Sequence, residues 1–265
     1  MTNRDQPTPL DAAALRAEAI SSGWRRLDVV EQTGSTNADL LARAASGSDI
    51  AGAVLIAEHQ TAGRGRQGRT WSATPRAQIS MSVGVSVVDV PVTAWGWLSL
   101  ATGVAVVDAV TATTDVRGGL KWPNDVLVRG GKLAGILAEV ARPVIVVGLG
   151  LNVTHAPDGV DGATSLRDLG VAAPDRGRLV GTLLRELSIR VGQWRSADPR
   201  LAVDYRARSL TIGSRVRAHL PGDKQLVGTA TGIDDQGRLC VEPAGSEGEV
   251  GRTVVVSAGD VVHLR

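Results

Sequence analysis

The chain has 265 residues, 43% hydrophobic and 21% charged, with a formal net charge of +2. Those proportions exclude wholesale disorder, suit one large core with a small satellite, and give no charge-based reason to expect DNA over the whole surface. The single cysteine, Cys240, excludes an internal disulfide, and His59, His155, His219 and His263 are too scattered for a zinc site.

Residues 1–10 are polar with two prolines and read as a disordered terminus. They lack the apolar core of a signal peptide, and no apolar run approaches the roughly 20 residues of a membrane span, so a cytoplasmic protein without a membrane partner is expected. Strands are predicted over residues 27–30 and 53–58. Between them Ser35 or Thr36 caps a helix, Asp39 favours its first turn, and Gly47 closes it. Residues 79–88 alternate apolar with small or polar side chains, the period of a half-buried strand. A mostly apolar helix follows from Trp95 to about Val110.

Residues 126–128 and 133–140 form a hairpin about the turn at 129–132, and the β-branched run 144–153 adds a third strand. Leu179, Leu183, Leu184, Leu187, Val191 and Trp194 recur at helical spacing, as in a helix packed on a sheet. Beyond Ser209, short strands at 215–220, 226–233, 238–241, 253–256 and 261–264 are punctuated by glycine. The expected division is therefore a domain at 1–209 and a small β domain at 210–265.

Between Glu58 and Asp89 there is no acidic residue, yet Arg64, Arg66, Arg69 and Arg76 all fall there. An anion is expected at this segment. Gly63, Gly65 and Gly68 also spell G-x-G-x-x-G, the dinucleotide-binding fingerprint, with Asp89 about 20 residues on. That fingerprint requires a helix at the glycines, and the continuation Trp71-Ser72-Ala73-Thr74-Pro75 admits none. Arginine forks among glycines suit phosphate oxygens. A solvated basic turn or an RNA contact remains an equal alternative at this point.

The segments TGSTN (33–37), EHQTAGRGRQGRTW (58–71), KWPNDVL (121–127), GGKLAGILAE (130–139) and GLGLN (148–152) resemble, in order and spacing, the catalytic domain of biotin protein ligases. The following helix and terminal β domain fit that family's layout. Taken alone, Lys132 and Asp125 are turn residues, Ser35 and Thr36 are caps, and Trp71 and Trp122 are ordinary aromatics. The set carries the resemblance.

The resemblance implies an α+β fold, a mixed sheet flanked by helices like that of class II aminoacyl-tRNA synthetases, with a C-terminal SH3-like β-barrel. It implies activation of biotin by ATP to biotinyl-5′-AMP and pyrophosphate, then transfer to a lysine of a biotin carboxyl carrier domain of an acyl-CoA carboxylase. Mg²⁺ would arrive with ATP, and no tightly bound prosthetic group is expected. Lys132, Arg66, Asp125 and Lys121 become catalytic candidates, with Asp125 also an indirect Mg²⁺ contact or a guide for the incoming amine. Biotin falls to Ser35, Thr36, Asn37, Gln60, Gly63, Arg64, Gly65, Arg66, Lys132 and Gly135. The nucleotide falls to Arg64, Arg66, Arg69, Trp71, Lys121, Asn124 and Asn152. Residues 62–70 are expected to order over the ligands as a lid that excludes water.

Three rivals stand beside this reading. A lipoate or octanoate ligase of the same superfamily needs a longer apolar pocket. A DNA-binding repressor needs an additional domain, and the 34 residues before Ser35 are too few for it, so no DNA partner is expected. The third is a non-catalytic phosphate or nucleic-acid binder built on the arginine segment.

Overall fold

The computed structural model describes residues 7–157, 160, 162–220, 224–244, 253–257 and 259–264. The expected disordered terminus lies outside the described residues over 1–6. Over 7–10 it is corrected: the Thr8 carbonyl accepts from Arg176 Nη2 at 2.8 Å, and the Leu10 N–H donates to Glu58 Oε1 at 2.6 Å.

Helix α1 (Ala12–Ser21) opens at Asp11, whose carboxylate accepts from the Ala13 and Ala14 N–H groups, and leads to β1 (Arg26–Thr33). Helix α2 (Thr36–Ala45) is capped by Ser35, and Gly47 turns out of it at φ +86°. Strand β2 (Ala53–Gln60) follows, then two short strands, β3 (Gly63–Arg64) and β4 (Thr70–Trp71), and then β5 (Gln78–Ser86). Next come α3 (Gly96–Thr114), β6 (Gly119–Lys121), β7 (Asp125–Val128), β8 (Gly131–Ala141) and β9 (Val144–Asn152). Helices α4 (Arg176–Arg195) and α5 (Pro199–Arg208) precede β10 (Arg215–Leu220), β11 (Lys224–Ile233), β12 (Leu239–Pro243), β13 (Val254–Val256) and β14 (Asp260–His263).

The first sheet has the order β1-β2-β5-β9-β8-β7-β6, with β1 and β2 parallel and the other pairs antiparallel. Strand periodicity gives its two faces different chemistry. Ile79, Met81, Val83 and Val85 of β5, with Ile145, Val147, Leu149 and Leu151 of β9, enter the main core with Leu98, Ala101 and Ala105 of α3. On the opposite face Val144 and Val146 pack with Leu40 of α2. Farther along, that second face carries Gly148, Gly150 and Asn152 beside Ser82, Ser80 and Gln78, their register partners on β5, with Asn37 at the start of α2 over Gly148 and Ser82.

Helix α4 corrects the expectation of a helix laid on the sheet. It packs along α3, with α1 and α5 beside it, and meets the sheet at β5. Segment Val92–Thr114, which includes α3, is long and apolar enough to cross a membrane, with mean hydropathy 1.3, contrary to the sequence expectation. Two-thirds of that window is buried inside the protein, the environment of a core helix.

The small SH3-like β domain is a five-stranded antiparallel sheet, β13-β12-β11-β10-β14. It joins the first domain through two indoles: Trp97 Nε1 donates to the Asp234 carbonyl and Trp122 Nε1 to the Gly237 carbonyl, both at 3.0 Å. Val216, Ala218, Leu239 and Val241 belong to the same buried core as α3.

A candidate active site between an arginine hairpin and a glycine-lined sheet face

A cavity of about 380 Å³ lies on the small-residue face of the sheet. Its floor follows from the pattern G-L-G-L-N: the leucines turn to the core, and the glycines and Asn152 turn to the cavity. The Trp71 ring occupies the space the glycines leave. A β-carbon at Gly150 would fall 2.2 Å from its ring, and one at Gly135 would fall 3.0 Å away.

The wall over this floor is the segment Gly63–Trp71. It is a hairpin of β3 and β4 with a tight 3₁₀ turn at Arg66–Gly68, in which Gln67 and Gly68 have φ of +54° and +73°. The absence of an α-helix here removes the dinucleotide alternative. Arg64, Gly65, Arg66 and Arg69 line the cavity; Gly63 does not. A β-carbon at Gly63 would meet the Trp71 carbonyl at 2.4 Å, so the close strand pairing requires a glycine here.

One end of the cavity is neutral and polar. Ser35, Thr36 and Asn37 arrive there at the start of α2, and Gln60 at the end of β2. The Thr36 N–H donates to Gln60 Oε1 at 2.8 Å, and the Thr36 hydroxyl lies 2.7 Å from Ser82 Oγ.

The other end is cationic. Lys132 Nζ lies 2.7 Å from Asp125 Oδ1 across the β7–β8 pair and 5.8 Å from the Trp71 ring centroid. Arg66 donates to Asn124 Oδ1 at 3.3 Å and, from its other terminal nitrogen, to the Gly259 carbonyl at 3.4 Å. Lys121 at the end of β6 and Val261 and Val262 of β14 complete this end, so the small β domain forms part of the wall. Burial, and then the charge of Lys121, depress the His263 imidazole below its ordinary value of 6.5. Asp125 is the only carboxylate among the described lining residues.

Two residues expected to contact the nucleotide also tie the frame together. Asn152, 1% exposed, donates from its amide to the carbonyls of Thr164 (3.0 Å) and Lys132 (3.4 Å), while its Oδ1 is buried without a protein partner. Asn124 Nδ2 donates to the Ile136 carbonyl at 2.9 Å, tying the turn before β7 to β8. Sequence reasoning missed Gln78, which accepts from Trp71 Nε1 at 3.2 Å, and also Ser82 and Glu139. Glu139 takes Arg64 Nη2 on one oxygen at 2.7 Å and Asn37 Nδ2 on the other at 2.8 Å. The period of β8 was the available signal, since Gly135, Leu137 and Glu139 share a face.

Residues 29–153 match the profile of the biotin/lipoate A/B protein ligase family, and residues 211–264 that of the biotin protein ligase C-terminal domain. The chain is 69% identical to the biotin–[acetyl-CoA-carboxylase] ligase of Mycobacterium tuberculosis over the full length of both. It is 30% identical to the bifunctional ligase/repressor BirA of Bacillus spizizenii, over 86% of this chain and 72% of that one. In structure it is similar to the Aquifex aeolicus biotin protein ligase in complex with biotin and ATP. That likeness has a TM-score of 0.78 at 22% identity and covers 91% of this chain and all of the other. The Leishmania major biotin protein ligase in complex with biotinyl-5-AMP is similar at a TM-score of 0.59 and 25% identity, over 88% of this chain and 99% of that one.

Proposed function

Because the chain belongs to the biotin protein ligase family, we propose that its cavity activates biotin with ATP and passes the biotinyl group to a carrier lysine. One observation carries the reading: a neutral hydrogen-bonding end and a cationic end share one cavity, with a flat indole between them. The first suits a ureido ring and the second a carboxylate meeting a phosphate. A lipoyl or octanoyl tail at the first end would leave the buried Thr36, Asn37 and Gln60 without ligand partners, which disfavours the lipoate reading.

In the first step the biotin carboxylate oxygen bonds to the α-phosphorus of ATP, and the bond from that phosphorus to the bridging oxygen breaks, releasing pyrophosphate. Two anions must meet. At ~4 Å, like unit charges repel by roughly 4 kcal/mol in a near-surface dielectric. Lys132, already poised beside the floor, takes the carboxylate and reacting phosphoryl oxygens; Arg66 shares that charge; Arg69 and Lys121 hold the outer phosphates. Trp71 offers its face to the adenine, and the orphan Asn152 Oδ1 suits the donor of an adenine amino group.

In the second step the carrier amine attacks the acyl carbon and AMP leaves. Asp125, at the mouth of the Lys132 pair, is placed to orient that amine. Among the described residues no three acidic, cysteine or histidine side chains converge as a metal site, so Mg²⁺ fits only as a companion of ATP with Asp125 as its one carboxylate contact. Ordering of 62–70 over the ligands would keep water from the mixed anhydride. We place the enzyme in the cytoplasm with its biotin carboxyl carrier substrate and expect no operator binding, which a salt-dependent, sequence-specific gel shift would disprove.

The test is ATP–pyrophosphate exchange. Exchange should require biotin, fail with lipoate, and be abolished by Lys132→Ala. Exchange supported by lipoate alone, or full activity in the variant, would sink the assignment of substrate or of site.

A further inference from the structure

We infer that Glu139, outside the cavity itself, is a positioning residue that sets the polarity of the biotin end and pins the arginine hairpin to it. The proposal rests on the ligase reading above. Both carboxylate oxygens are spent, one on Arg64 of the hairpin and one on Asn37 of α2, with the Glu139 side chain only 21% exposed. Asn37 Nδ2 faces two pure acceptors, Glu139 Oε2 and the Leu137 carbonyl at 3.2 Å, which fixes its amide orientation. Its Oδ1 therefore faces Ser82, whose hydroxyl donates to it at 2.6 Å. The absent side chain at Gly148 makes room, since a β-carbon there would fall 2.3 Å from Asn37 Oδ1.

A hydroxyl has one proton. Ser82 gives its proton to Asn37, so the 2.7 Å contact between Ser82 and Thr36 is closed by the Thr36 proton. Gln60 Oε1, 3.0 Å from the Thr36 hydroxyl, is already served by the Thr36 N–H. Every donor in the row Thr36, Ser82, Asn37 thus points toward the Glu139 carboxylate. Thr36 Oγ1 is left with lone pairs for the cavity, and a ligand that meets it must bring a proton. A ureido N–H does so; a hydrocarbon chain does not. The same carboxylate that selects this polarity holds Arg64, so the hairpin and the specificity end share one anchor.

Glu139→Gln replaces one acceptor by a donor. Its amide must then oppose either Arg64 or the Asn37 amide; a flipped Asn37 would set its Oδ1 against the Leu137 carbonyl and send the Thr36 proton to Gln60 Oε1, so in either case the row or the hairpin loses its anchor. Calorimetric titration with biotin in the absence of ATP should show Kd raised roughly ten- to hundredfold, with the melting temperature retained. The exchange rate at saturating biotin should stay within about threefold, as for lost uniform binding. Ser82→Ala interrupts the row without touching charge or Arg64 and should weaken biotin in the same direction. Wild-type binding with both variants unchanged overturns the proposal alone, as does a lost saturating rate at unchanged Kd. A wild type that neither binds biotin nor supports exchange overturns the ligase reading and the proposal with it.

Discussion

A methyl group at Gly150 would lie 2.2 Å from Trp71 Cε2, and the ring could not rest where it does. Gly150→Ala is therefore expected to lift the indole off the floor and raise the KM for ATP by about tenfold or more, since a stacked aromatic face contributes on the order of 1–3 kcal/mol per base. Steady-state kinetics with biotin saturating will measure it; an unchanged KM would remove Trp71 from the nucleotide site. Deeper in the frame, Arg176 and Glu58 form an ion pair at 2.7 Å, with side chains 5% and 3% exposed. Arg176 also donates to the Gln78 carbonyl, and Gln78 holds Trp71. Removing one partner strands a buried charge. Arg176→Met should lower stability by about 3–5 kcal/mol in urea unfolding, whereas a cost below about 1 kcal/mol would mean that water reaches Glu58.

At the scale of the element, β14 connects the small domain to the site. Thr211 Oγ1 accepts from the Trp122 N–H at 3.0 Å and meets His263 Nε2 at 3.0 Å, so the hydroxyl proton is available to a neutral imidazole. Burial and Lys121 both disfavour the charged ring. The folded value lies below 6.5, so between the two values the unfolded chain binds more protons than the folded one, and stability falls as pH falls through that window. Thermal melting should decline from about pH 6.5 downward, with a flatter decline in His263→Gln. Identical slopes in the two proteins would show that other groups set the acid limb. The arginine segment was legible as a cationic one, and Arg64, Arg66 and Arg69 line the cavity, because arginine and glycine chemistry is local. Its pairing as β3 and β4 was not, because two residues a side carry no periodicity. Helices α1 and α5 were also missed, although Asp11 caps one, and Asp198 with Pro199 opens the other.

Across the whole molecule the two domains share buried side chains. Trp97 and Trp122, 8% and 3% exposed, each rise from the first domain and donate to a carbonyl of the second. Ending the chain after Ser209 would uncover both indoles along with the core around α3. The shortened protein is expected to lose its cooperative melting transition and bind a hydrophobic dye; a sharp transition at the full-length temperature would show that the first domain stands alone. The more conservative Trp122→Phe, which removes one N–H donor, should cost about 1–3 kcal/mol by leaving the Gly237 carbonyl unpaired.

The sequence by itself carried the family resemblance, which implied the mixed sheet, and it placed the central strands, helices α2, α3 and α4, the trailing β domain and a cationic arginine segment. Those properties reside in short motifs and in periods of 2 and 3.6 that any chain segment carries locally. Only the tertiary structure decided which of them converge. It seated Trp71 on glycines from two strands, set Gly63 against the Trp71 carbonyl, and tied the amide nitrogens of Asn124 and Asn152 to backbone carbonyls. It brought Glu139 to Arg64 across 75 positions and gave one wall of the cavity to β14. Such contacts depend on register and on the space between elements, which spacing along the chain does not encode.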